Sequence, residues 1–284
     1  MTNRDATPRP IALVTGASSG IGEAFAHLLA QEGHRLVLVA HKSVDLDRVA
    51  AKIAAEHKIQ PHTFGMDLSK PGAVKHLLDD LHKQGLRPDL LVNNAGFGLL
   101  GKAVELNADE QINMINLNVA ALTELAICCG KAMVRQGRGG IINISSVAGA
   151  LPGPNMAVYY ATKAYILSFS EALAAELKHS GVQVTAVAPG VTRTAFHQRA
   201  GMERSRLLKW SAPMEPETVA RLGYQGFCRG RSVVVTGGFN KLSMACARLI
   251  PNAILNPVIS RLHKLVPSKE QFTQSSPVRE KSDQ

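Results

Sequence analysis

Tyr159 and Lys163 stand four residues apart in Tyr159-Tyr160-Ala161-Thr162-Lys163, and Ser146 lies thirteen residues before Tyr159. On a single helix, side chains at i and i+4 share a face, which puts this phenol and ammonium about 6 Å apart at Cβ. A cation beside a phenol favours phenolate. Each unit of pKa depression corresponds to about 1.4 kcal/mol, so a lysine neighbour moves a tyrosine from near about 10 toward acid–base use at neutral pH. Ser146 supplies a hydroxyl able to hold a carbonyl oxygen. A Tyr and a Lys at this spacing also occur on ordinary solvated helix faces, so the pair needs companions to acquire meaning. Tyr160 is the competing phenol, but it has no lysine at +4 and reads as a packing residue.

Three companions are present. Thr15-Gly16-Ala17-Ser18-Ser19-Gly20-Ile21-Gly22 follows a short apolar run and opens a helical pattern. A glycine-rich turn there lets backbone approach a pyrophosphate, while the helix start offers free N–H groups and the positive end of its dipole. Asn93-Asn94-Ala95-Gly96 and Asn143-Ile144-Ser145-Ser146 each end a further apolar run. In this order and at these intervals, the segments resemble the short-chain dehydrogenase/reductase family over roughly residues 10 to 240, with the G-x-x-x-G-x-G spacing of Gly16, Gly20 and Gly22 in place of G-x-G-x-x-G.

The resemblance implies a nicotinamide-dependent oxidoreductase acting on a small-molecule carbonyl or secondary alcohol. Tyr159 is then the general acid in reduction, Ser146 positions the substrate oxygen, and Lys163 lowers the Tyr159 pKa and binds the nicotinamide ribose. Asn116, in Ile115-Asn116-Leu117, aligns with the family's active-site Asn, with Asn113 and Asn118 as neighbouring candidates. The cofactor contacts implied are Gly16, Ser18, Ser19, Gly20, Ile21 and Gly22 at the pyrophosphate, and Asp67 with Leu68 at the adenine. Asn94, Ala95 and Gly96 line the ribose; Pro189, Gly190, Thr192 and Thr194 meet the nicotinamide side. Asp67 also has a simpler reading as the cap of the next helix. At the end of the second strand a carboxylate selects NAD and a cation selects NADP. Val39-Ala40-His41-Lys42 has no acid there, so His41 and Lys42 favour NADP(H), with NAD(H) the alternative. Residues 195 to 213, including Phe196, His197, Met202, Leu207, Leu208 and Trp210, occupy the position of the family's substrate lid or serve as oligomer contacts.

The elements that must position these groups alternate. Apolar runs at 11–14, 36–40, 61–66, 90–92, 141–144, 182–188 and 232–235 read as buried strands. Helical spacing fills 23–30, 46–57, 73–82, 109–133, 159–179 and 217–226. This is an α/β chain with a doubly wound parallel, Rossmann-like sheet. Residues 8–240 form one dinucleotide-binding and catalytic domain, 241–266 an amphipathic extension of two or three short helices opened by prolines, and 267–284 a polar tail with the composition of disorder.

At 284 residues, 45% hydrophobic and 19% charged, the chain suits one large core. No uninterrupted apolar stretch approaches the roughly 20 residues that span a bilayer, and no export signal is visible, which predicts a cytoplasmic protein. Cys128, Cys129, Cys228 and Cys246 show no C-x-x-C or zinc spacing, so reduced thiols and no metal are expected. The net charge of +10 resides late: residues 193–284 hold 15 Lys/Arg against 6 Asp/Glu. These cations are dispersed among Leu, Met and Pro, which disfavours nucleic acid. The extension is expected to cap a sister subunit or rest on an anionic membrane; the resemblance implies a homodimer or homotetramer built on the helices at 109–133 and 159–179. The competing readings are a non-catalytic dinucleotide sensor and a lipid-associated protein acting through its basic last third.

Overall fold

The computed structural model describes residues 9–202, 205–206, 212–247 and 250–263. Seven parallel strands form one sheet: β1 (Ile11–Thr15), β2 (Arg35–Ala40), β3 (His62–Gly65), β4 (Leu90–Asn93), β5 (Gly139–Ile144), β6 (Val182–Ala188) and β7 (Val233–Val235), in the spatial order 3-2-1-4-5-6-7. The central strands are continuous apolar runs because helices cover both faces. Helix α1 (Gly20–Gln31), α2 (Ser43–His57) and the helix Pro216–Cys228 pack one layer around Phe25, Leu29 and Val219. The opposite layer holds α3 (Ala73–Lys83), a long helix over residues 108–136 and α6 (Ala157–Glu176), around Leu77, Leu125 and Met133. Where β4, β5 and α6 meet, a buried polar chain fixes their register. Asn93 Nδ2 donates to Asn143 Oδ1 at 3.0 Å, and Asn143 Nδ2 donates to Ser170 Oγ at 2.9 Å.

The helix expected over 109–133 is composite. It runs as α4 (Ala108–Ile115), a π-helical stretch Asn116–Ala121, then α5 (Leu122–Gln136). It is long and apolar enough to cross a membrane, with a mean hydropathy of 1.5, yet Leu122, Leu125, Ala126, Cys129 and Met133 are buried against the sheet. Leu122–Gln136 is thus a core helix of the fold. The four cysteines are free. His27 of α1 and Glu56–His57 of α2 meet on the outer layer, with His27 Nδ1 3.0 Å from Glu56 Oε2, a grouping that spacing along the chain does not reveal.

The segment beyond the sheet differs from expectation. With Phe196–Arg199 as α7 and Pro216–Cys228 as α8, the last two helices are α9 (Gly238–Ala247) and α10 (Asn252–His263). Pro251 precedes α10, but Pro257 lies inside it instead of opening a new helix. Met244, Ile259 and His263 are buried against the rest of the chain, whereas Leu242 and Val258 are 64% and 49% exposed. Leu249, Leu265 and the tail 267–284 lie outside the described residues.

Candidate active site

Strand order reverses between β1 and β4, and a cavity of about 1270 Å³ opens along the C-terminal ends of the strands from that point. Its floor is the glycine turn. Gly16 and Gly20 have φ of 65° and 58°, the left-handed region that glycine adopts without strain. A Cβ on Gly22 would lie 2.2 Å from the Gly16 carbonyl oxygen, so only glycine permits this closeness. Ser19, at the N-cap of α1, makes no side-chain bond to the helix, and the uncapped N-terminus borders the cleft with Ser18, Gly20 and Ile21. This uncapped end and the glycine cradle fit the pyrophosphate of a dinucleotide.

The Asn93–Gly96 segment is tied to the same turn. Asn94 Nδ2 donates to the carbonyls of Thr15 and Gly16 at 3.0 and 3.1 Å, and Thr15 Oγ1 accepts the N–H groups of Asn94 and Ala95, each at 3.0 Å. Asn94, Ala95 and Gly96 line the cleft as a result. Thr15 is thus a brace that the motif spacing alone does not single out.

At the adenosine end, His41 and Lys42 leave β2 and line the cleft beside Asp67 and Leu68. Asp67 Oδ1 accepts the Ser69 N–H at 3.0 Å and the Ser69 hydroxyl at 2.6 Å, a local turn and not the helix cap of the simpler reading, since the next helix starts at Ala73 with Gly72 as its N-cap. The other, Oδ2, is 3.9 Å from His41 Nδ1. Burial pushes the Asp67 carboxyl up, but the two Ser69 hydrogen bonds and the His41 charge outweigh it and leave the pKa below the ordinary value. Arg48, which the sequence reading missed, reaches from α2 to the Ser18 carbonyl at 3.3 Å and to Glu23 at 3.4 Å, beside the glycine turn.

At the other end, Ser146 starts a short 3₁₀ turn (Val147–Ala150), accepting the Ala148 N–H at 3.1 Å and donating to the Pro189 carbonyl at 3.4 Å. The Tyr159 phenol stands on the same cleft wall, close enough to Ser146 for that hydroxyl to favour its ionised form. Lys163 Nζ lies 5.7 Å from the Tyr159 ring centroid and donates to the Ile144 carbonyl at 3.0 Å. All three side chains line the cleft. The expected electrostatics are reversed. Burial pushes the Tyr159 phenol up to about 12 against the opposing effect of the Ser146 hydroxyl, and it pushes Lys163 down to about 8. Part of Tyr159 faces the cleft, but protein packed around its hydroxyl governs the charged form. Both groups are driven toward neutrality because, with little water near either, the loss of solvation exceeds their mutual effect.

Of the three asparagines in this stretch, Asn113 lines the cleft, while Asn116 is half-buried and Asn118 fully buried, and neither of these two lines it. Asn118 Nδ2 donates to the Phe97 carbonyl at 2.9 Å and to Thr162 Oγ1 at 3.1 Å, and its Oδ1 accepts the Phe97 N–H at 3.1 Å. Thr162 Oγ1 in turn donates to the Tyr159 carbonyl at 2.7 Å. The π stretch beginning at Asn116 widens one turn and changes which asparagine faces α6.

Pro189, Gly190, Thr192 and Thr194 line the cleft after β6. Thr192 is buried, donating to the Gly190 carbonyl at 3.1 Å, and its own carbonyl accepts from His197 Nε2 at 2.9 Å. The Thr194 methyl carbon lies 2.8 Å from where a Cβ on Gly20 would be, which closes the turn against this segment. In the expected lid, the Phe196 ring sits 5.3 Å from the Tyr159 ring and Met202 is buried with Met156 and Ala200. Leu207, Leu208 and Trp210 lie outside the described residues.

Residues 10–205 match the short chain dehydrogenase family. The chain is 33% identical over 218 residues to sulfoacetaldehyde reductase 2 of Chromohalobacter salexigens, covering 75% of this chain and 86% of that protein. Among solved structures it is similar to a short-chain dehydrogenase from Sphingobium yanoikuyae in complex with NADPH, with 36% identity, a TM-score of 0.75, and 86% and 97% of the two chains covered. It is also similar to the bulky-bulky ketone specific alcohol dehydrogenase from Comamonas testosteroni, with 30% identity, a TM-score of 0.72, and 94% and 100% covered. Together with the parallel sheet, the glycine cradle and the one cleft that Ser146, Tyr159 and Lys163 share, these likenesses make the chain an NAD(P)-dependent oxidoreductase that belongs to the short-chain dehydrogenase/reductase family.

Proposed function

We propose that this protein is an NADP(H)-dependent reductase of a carbonyl substrate, or dehydrogenase of the matching secondary alcohol. The observation that carries the reading is the convergence of Ser146, Tyr159 and Lys163 on one cleft that the glycine turn floors, with Lys163 Nζ 5.7 Å from the Tyr159 ring centroid. A bound nicotinamide supplies the hydride for the carbonyl carbon, or accepts it in the reverse direction. Ser146 and Tyr159 hold the carbonyl oxygen with two hydroxyls, and donors placed where alkoxide charge develops are worth several kcal/mol. Tyr159, raised to about 12, is protonated at neutral pH and is the proton donor to that oxygen. Lys163, near 8, matches neutral pH as the group that returns a proton to Tyr159. Asn118, through Thr162, fixes the backbone of the turn that carries Tyr159.

NADP(H) preference is supported by His41 and Lys42 at the adenosine end, by the absence of an acid at Ala40, and by the NADPH bound in the Sphingobium relative. A homo-oligomer is supported by Ile112, Ile127, Val134 and Tyr165, which stand exposed on the long helix and α6. The test of function is cofactor oxidation over a panel of aldehydes and ketones. Turnover should be faster with NADPH than NADH, fall by several orders of magnitude in Tyr159→Phe, and survive in Tyr160→Phe. Ala40→Asp with Lys42→Ala should move the preference toward NADH. Equal use of both cofactors by the unmodified protein would refute the cofactor assignment, and full activity of Tyr159→Phe would refute the mechanism.

A further inference from the structure

We infer that α10 is the ceiling of the substrate end of this cleft, that His263 is the positioning residue that locks it there, and that the C-terminal helix therefore sets which carbonyl compounds fit. The inference rests on the reductase reading above.

His263 is 3% exposed and sits between two partners. Its Nδ1 is 2.8 Å from the Pro154 carbonyl oxygen. A carbonyl only accepts, so Nδ1 carries the hydrogen and the neutral ring leaves a lone pair on Nε2. That nitrogen lies 3.1 Å from the Tyr160 hydroxyl, which donates to it, and the two rings meet edge-on at 5.4 Å. One turn earlier, Ser260 Oγ accepts from Asn155 Nδ2 at 3.3 Å, and Asn155 holds a left-handed φ of 67°. Gly153 completes the seat, since a Cβ there would lie 2.1 Å from the Tyr160 ring. These anchors fall on the residues that lead into α6, Gly153 to Asn155, and on Tyr160 in its first turn, beside Tyr159.

An apolar face alone would hold α10 to the protein in more than one register. Two directional hydrogen bonds through one buried imidazole select a single register, and a buried polar group that lost them would be left unpaired. In that register Ile259 and Leu262 line the cleft that Phe196 and Met202 also line. The surface that α10 gives the cleft through these two side chains is apolar, so the substrate class is a carbonyl whose larger substituent presents apolar surface to α10.

The experiment uses the full-length protein with NADPH, comparing the unmodified chain, His263→Ala and His263→Gln. Glutamine retains one donor and one acceptor and serves as the conservative rescue. Two readouts are taken: amide hydrogen exchange over residues 252–263, and kcat/KM along a series of aryl ketones of increasing bulk. In His263→Ala, exchange of 252–263 should rise at least tenfold, and kcat/KM for the bulkiest ketone relative to the smallest should rise at least tenfold. His263→Gln should stay within about threefold of the unmodified protein in both. Unprotected 252–263 in the unmodified protein, or an unchanged size profile in His263→Ala, would overturn the inference. Protection that depends on His263 with no carbonyl compound turned over would refute the reductase reading and the substrate class while leaving the lock standing.

Discussion

Lys163→Met should make the protein more stable at neutral pH while abolishing turnover. Lysine titrates near 10.5 in the unfolded chain, and burial lowers Lys163 to about 8 in the folded one. Below pH 8 the ammonium is charged in both states, and the folded state bears the whole cost of its lost hydration. Between 8 and 10.5 the unfolded state holds more protons, so stability rises with pH through this window; above it the cost is gone. The gap, at about 1.4 kcal/mol per unit, corresponds to about 3 kcal/mol. Methionine is of similar length and carries no charge, but it gives up the hydrogen bond to the Ile144 carbonyl, worth about 1 kcal/mol. The net expectation is about 2 kcal/mol of added stability at pH 7 without cofactor, vanishing or reversing by pH 10. Urea unfolding of both proteins at pH 7 and pH 9.5 measures it. A variant no more stable than the unmodified chain at pH 7, with the same difference at pH 9.5, would show that Lys163 is not held at a desolvation cost.

Two further outcomes follow from the geometry. Asn118→Ala removes three buried hydrogen bonds and should cost about 2–4 kcal/mol in urea unfolding, whereas Asn116→Ala should change stability by under about 1 kcal/mol; equal losses of stability would show that the Asn118 bonds do not hold the helix to α6. Ile127→Glu places a charge on the exposed stripe of the long helix and should reduce the assembly measured by sedimentation equilibrium, and an unmodified protein that already sediments as a monomer would refute the oligomer proposal.

The strands and the cofactor turn were legible because their causes are local. Ile11–Thr15 is buried on both faces and must be a continuous apolar run, and Gly22 touches the Gly16 carbonyl, six residues away in sequence. Less legible were residues whose surroundings depend on distant partners. Nothing in Asn116-Leu117-Asn118 says which amide faces Phe97 and Thr162, because that choice is made by an i→i+5 widening of the helix and by α6 packing across from it. Composition could not foresee the direction in which burial moves Tyr159 and Lys163 either. The i, i+4 spacing guarantees proximity, but the sign of each shift depends on how much protein surrounds the pair. His263 is the sharpest case: a lone histidine in a basic, Pro-broken segment looks like a solvated face until the fold brings Pro154 and Tyr160, more than a hundred residues upstream, to either side of it. Helix forms over Gly238–Ala247 and Asn252–His263, but apolar spacing does not tell which of their faces is buried. A polar lock at His263 fixed the rotation of α10, turning Ile259 inward and Val258 out, where hydrophobicity alone treats the two as equals.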